Sequence, residues 1–129
     1  MGNPRRNGFT LIELVMVIII LGVLAAVAIP VFVNLQSESN TAAEKGVIGG
    51  VRAGIVSYYI DTSRGNRSSY PTTLDGIADS TNASKANPLF TVVLTQGGIT
   101  ADWKKVSAST YSGPTTSAYT YNSTNGSFT

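Results

Sequence analysis

The chain has 129 residues, 43% of them hydrophobic and only 12% charged, with no Cys and no His. That is one domain's length, and its composition excludes disulfides, thiolate chemistry, imidazole zinc sites and histidine acid–base catalysis. The formal charge of +2 rests on Arg5 and Arg6: the remaining basic and acidic residues balance at seven each. The basic balance is thus a property of the first few residues. No basic stripe with interleaved aromatics points to nucleic acid. The carboxylates Glu13, Glu38, Glu44, Asp61, Asp75, Asp79 and Asp102 are scattered. With no nucleophile–base pair and no metal-ligand cluster in view, the chain does not read as an enzyme, and neither cofactor nor metal is expected.

Leu14 to Val33 is a run of twenty residues without a charge. At 1.5 Å rise per residue it makes about 30 Å of helix, the thickness of a bilayer core. Arg5 and Arg6 precede it, which keeps the N-terminus cytoplasmic and sends the rest of the chain across. Two ordinary explanations compete. A secretory signal peptide would use Ala26-Val27-Ala28 as its cleavage site; Glu13 in the apolar stretch and Ile29-Pro30 as a mature start both count against it. A plain single-span anchor leaves Glu13 and the Gly8-Phe9 junction without a purpose.

Gly8-Phe9-Thr10-Leu11-Ile12-Glu13-Leu14, continued by Ile20-Leu21-Gly22-Val23-Leu24-Ala25-Ala26-Val27-Ala28-Ile29-Pro30, resembles the signature of type IV pilins and type II secretion pseudopilins. The resemblance covers about the first thirty residues. It implies that a membrane aspartyl peptidase cuts between Gly8 and Phe9 and methylates the new Phe9 amine. Asn7 departs from the pattern, standing where that family often has Lys or Arg, with Arg6 one step away. A cut before the apolar segment leaves that segment on the mature chain. Its apolar side chains, each carrying about 1.5–3 kcal/mol of burial free energy, must then stay in lipid or enter another apolar environment. Exchanging lipid for a core of like helices is nearly neutral, so packing and polar pairing decide assembly.

Glu13 has two readings. Thr10-Leu11-Ile12-Glu13 fits the capping box, in which the two side chains satisfy free N–H groups at a helix start. An ion kept in an apolar stretch also asks for a partner. The resemblance implies that Glu13 pairs with the Phe9 amine of a neighbouring subunit, which would fix the register between otherwise featureless helices.

The helix is expected from about Thr10 to Ile60. Beyond Asn34 it becomes amphipathic, with Val47, Val51, Ile55 and Tyr58-Tyr59 on one stripe and Ile48 widening it. Glu38, Glu44, Lys45 and Arg52 fall mostly off that stripe, which is expected to pack on the domain's own sheet. Gly46, Gly49, Gly50 and Gly54 each cost up to about 1 kcal/mol against Ala and suggest close packing or a bend. Pro30 cannot donate to the Ala26 carbonyl. The resemblance implies a helix break between Gly22 and Pro30 inside a fibre, with the segment helical in a separate subunit.

After Ile60 the composition turns to Ser, Thr, Asn, Gly and Tyr. Residues 61–71 read as a loop, and Thr73 to Ala78 as a short helix. Leu89–Thr95 is the strongest strand candidate, with Gly97-Gly98 as a turn; Trp103–Ser109 and Ala118–Asn122 follow. Ser123-Thr124-Asn125-Gly126 reads as a hairpin loop into Ser127–Thr129. Trp103, Tyr111, Tyr119, Tyr121 and Phe128 are expected in the core. Tyr70-Pro71-Thr72-Thr73 is similar to a stretch of major pseudopilins, but the tail after Asp102 has no acidic residue, so no calcium loop of their kind is expected.

The expected class is α+β: a long N-terminal helix, transmembrane in its first half and amphipathic in its second, on a small antiparallel sheet. The expected segments are 1–8 as a cleaved leader, 9–33 as the transmembrane and filament-core half of the helix, 34–60 as its amphipathic half, and 61–129 as the head. The resemblance implies a structural subunit of a type IV pilus, held in the bacterial inner membrane before export into an extracellular pilus. Implied partners are copies of itself, the prepilin peptidase, an inner-membrane assembly platform and minor pilins. A pseudopilin of a periplasmic pseudopilus is the alternative, and a monomeric membrane-anchored binding protein the second.

Overall fold

A computed structural model describes Gly2, residues 8–61, Gly65 and residues 69–129. Arg5, Arg6, Asn7 and most of the loop expected over 61–71 lie outside the described residues. The chain divides into two compact units, Met1–Ser37 and Glu38–Thr129. The fold is α+β: one helix, α1 (Leu11–Ile60), followed by β1 (Thr81–Asn82), β2 (Lys104–Ser107), β3 (Thr110–Ser112), β4 (Ala118–Asn122) and β5 (Ser127–Phe128).

The start of α1 is set by the Thr10–Glu13 capping box, and its first half, though rich in β-branched Val and Ile, carries few polar side chains to compete for the backbone. The helix is continuous through Gly22 and Pro30. At its end the Asp61 amide still donates to the Ser57 carbonyl, at 3.0 Å.

The strands form one five-stranded antiparallel sheet in the order β1-β2-β3-β4-β5. Tyr111 stands opposite Lys105 and Tyr119, and Tyr121 opposite Phe128. Strand alternation sends Lys105, Tyr111 and Tyr121 to the inner side. There Phe90 is the hub of an aromatic core. Its ring lies 4.6 Å from Tyr111, 5.5 Å from Trp103 and 5.8 Å from Phe128. The second half of α1 closes this core with Ile48, Val51 and Ile55. Of the five expected core aromatics, Trp103, Tyr111, Tyr121 and Phe128 are buried, and Tyr119 is half-buried against them.

Three sequence expectations need correction. Leu89–Thr95 is not a strand: Leu89 makes a single bridge to Ile99, and the chain then turns. Phe90 sits at φ 61, and its carbonyl accepts from the amides of Val93 and Leu94. The run is apolar because it is buried, passing so close to α1 that only a glycine fits at position 54, against the Val93 carbonyl. Thr73–Ala78 is not a helix. Asp75 points into the core instead and accepts the amides of Ile77 and Phe90 at 3.1 and 3.3 Å. The third correction is Glu44, expected off the buried stripe and found buried at its N-terminal end.

Candidate functional site

Gly8, Phe9 and Thr10 precede the first helical turn and are exposed. Phe9 is 87% exposed, so the Gly8–Phe9 bond lies in an accessible, non-helical segment. Four residues on, the Glu13 carboxylate turns back to the start of the helix. Its Oε2 accepts the Thr10 amide at 2.8 Å and the Thr10 hydroxyl at 2.9 Å. The Glu13 amide lies 3.3 Å from the Thr10 hydroxyl oxygen and donates to it. This is the reciprocal capping box that the sequence spacing called for.

From Leu11 to Leu35 the large apolar side chains other than half-buried Val15 are exposed all round the helix, Leu11 by 81% and Leu35 by 58%. Among the described residues α1 is the one helix long and apolar enough to cross a membrane. A helix that is apolar on every side has no face for water. Gly22 lies in this stretch with open space around its Cα, and Pro30 lies within the helical run. Glu13, Gly22 and Pro30 thus share one helix, and Phe9 lies two residues before its start.

The head holds a second constellation that periodicity did not reveal. Glu44 is 3% exposed. Its Oε2 accepts the Thr115 amide at 2.8 Å and the Thr115 hydroxyl at 2.6 Å, and its Oε1 accepts the Tyr119 hydroxyl at 2.5 Å. Burial pushes the Glu44 carboxyl up, but these bonds outweigh it and hold the group below its ordinary value. The Tyr119 phenol is raised in turn, first by its bond to Glu44 and then by burial. Arg52, which unlike Glu44 stays off the buried stripe, donates from Nε to the Phe128 carbonyl at 2.9 Å. It thereby occupies a backbone acceptor of the last strand. The two polar residues of α1 tie both arms of the β3–β4–β5 region to the helix. The only cue in the sequence was that Glu44, Ile48, Val51 and Ile55 continue one helical spacing. Among the described residues no group of three or more His, Cys, Asp or Glu side chains could hold a metal.

Residues 3–29 match the family model described as the prokaryotic N-terminal methylation motif. The chain is 54% identical over 43 residues to the type IV major pilin protein PilA of Myxococcus xanthus, covering 33% of this chain and 20% of that protein. It is 31% identical over 88 residues to the type II secretion system core protein G of Pseudomonas aeruginosa, covering 68 and 58%. It is 33% identical over 101 residues to a fimbrial protein of Neisseria meningitidis, covering 77 and 56%. The aligned regions thus span between 20 and 58% of these relatives' own lengths. No solved structure matches the chain. The methylation motif, the pilin and pseudopilin relatives, and a long apolar helix joined to an antiparallel sheet make this chain a member of the type IV pilin and type II secretion pseudopilin family.

Proposed function

We propose that the chain is a structural subunit that polymerises through α1 into a type IV pilus filament. One observation carries the reading: an all-round apolar helix, exposed from Leu11 to Leu35, follows directly on an accessible Gly8–Phe9 bond. Prepilin peptidase cuts that bond and methylates the Phe9 amine. The subunit waits in the inner membrane, N-terminus cytoplasmic. The assembly platform and minor pilins then help bring its helix into a core of like helices. There Glu13 pairs with the Phe9 amine of a neighbour, and the helix opens between Gly22 and Pro30. The segments at work are residues 1–8 as leader, 9–33 as core, 34–60 as the helix half that carries the head, and 61–129 as the head.

Glu13→Gln tests the pairing. The amide keeps an acceptor for the Thr10 cap, so helix formation loses about 1 kcal/mol or less. Removing one charge of a buried pair costs about 3–5 kcal/mol. A strain with this variant as its sole subunit is expected to cleave and insert it normally and to make few filaments. A wild-type filament yield leaves the capping box as the whole role of Glu13.

Alignment with the secretion protein G over 68% of the chain, well into the head, favours a second reading as a pseudopilin. Loss of secretion with surface pili intact, after deletion of the gene, would select it.

A further inference from the structure

The head encloses an ion pair that filament assembly does not use. Lys105 Nζ and Asp75 Oδ1 are 2.8 Å apart, with side chains 5 and 0% exposed. Lys105 lies on the inner side of β2, its ammonium 5.9 Å from the Tyr111 ring centre, and it also donates to the Ile77 carbonyl at 2.8 Å. Asp75 Oδ2 receives the Phe90 amide. Phe90, Trp103 and Tyr111 belong to the same buried cluster. Tyr111 brings a third polar group: its hydroxyl is buried with no hydrogen-bond partner among the described residues. Burial, and then the Asp75 charge, push that phenol far above its ordinary value, so it stays a neutral O–H.

Two opposite charges removed from water are costly to keep as ions. An amine held against a carboxyl group in a fixed geometry reacts at an effective concentration of about 10⁵ M or more. We propose that Lys105 and Asp75 condense into an intramolecular amide.

The Lys105 ammonium passes one proton to Asp75 Oδ1 along their hydrogen bond. The freed Nζ lone pair attacks Asp75 Cγ, the Cγ–Nζ bond forms, and the carbonyl electron pair moves to Oδ2, where the Phe90 amide holds it. Nζ then passes a second proton to the Oδ1 hydroxyl, its neighbour in the ion pair. The Cγ–Oδ1 bond breaks, water leaves, and the carbonyl reforms at Oδ2. Nζ keeps one hydrogen, still directed at the Ile77 carbonyl. The sum is ammonium plus carboxylate giving a secondary amide plus water, with no redox change. The product links positions 30 residues apart in a chain with no Cys. The proposal does not depend on whether the chain forms a pilus, a pseudopilus or no filament.

Peptide mapping of the full chain, purified in detergent and read by tandem mass spectrometry, tests it. The expected result is an intact mass short by one water, no tryptic cut after Lys105, and a branched peptide joining the Asp75 and Lys105 segments. Lys105→Gln should restore the full mass. Asp75 precedes Gly76, and cyclisation to a succinimide loses the same water. A water-short linear peptide therefore overturns the proposal, as does a full-mass chain cut after Lys105, which leaves an ion pair only.

Discussion

Replacing Glu44 by Gln probes the polar tie between α1 and the sheet. The change keeps size and shape and removes the charge. The Thr115 amide can only donate, so the Gln carbonyl must take the place of Oε2, which leaves its NH2 facing the Tyr119 hydroxyl. That hydroxyl must turn round to accept. Bonds to an ionised acceptor contribute about 1.5–3 kcal/mol each and neutral ones about 0.5–1.5, so weakening three of them costs about 2–4 kcal/mol. The pH dependence follows from the lowered carboxyl. A group whose folded pKa lies below its ordinary 4.5 stabilises the fold above that value and loses the contribution as pH falls through the folded pKa. Gln has no such contribution to lose. Urea unfolding of the full chain in detergent, followed by the fluorescence of its single Trp, reads both effects. The variant should be less stable by about 2–4 kcal/mol at pH 7, and the gap should narrow below pH 4.5. Equal stability at pH 7, or a gap constant down to strongly acid pH, would refute the reasoning.

The remaining predictions concern the same helix. Gly54→Ala drives a methyl group into the Val93 carbonyl, a backbone atom that cannot step aside, so it should lower head stability by about 1–3 kcal/mol in the same urea assay. Gly46→Ala meets nothing within 4 Å and should raise the stability of the separate subunit by up to about 1 kcal/mol. Arg52→Leu removes the donor to the Phe128 carbonyl. It should cost about 1–2 kcal/mol in urea unfolding and speed hydrogen exchange at Phe128 and Thr129.

The elements legible in the sequence were those whose signal is local. The capping box at Thr10 and Glu13 announced the helix start. The run of apolar residues and then the Val47–Ile55 spacing carried the helix to Ile60. The turn residues Ser123–Gly126 announced the final hairpin, and Ala118–Asn122 is the β4 strand at the expected bounds. What failed depended on distant partners. The apolar character of Leu89–Thr95 matches a buried strand and a buried turn equally. The turn is chosen by the Asp75 carboxylate, fifteen residues away on the Phe90 amide. Glu44 looked like a solvent residue because its charge is local information, whereas its donors come from 71 and 75 residues further on. Lys105 was hidden likewise: a lysine on an inward strand position reads as an error until Asp75 and the Ile77 carbonyl are in place. Strands as short as β1, with two residues, carry no periodicity to read.

The central claim is that the retained N-terminal helix builds a filament. Its most direct test is the intact mass of the subunit in filaments sheared from the cell surface. The account predicts a polymer of this chain whose subunits lack Met1–Gly8, begin at Phe9 and carry one extra methyl on that amine. A chain that stays in the membrane fraction after shearing, with its start at Met1 or Ile29, would contradict it.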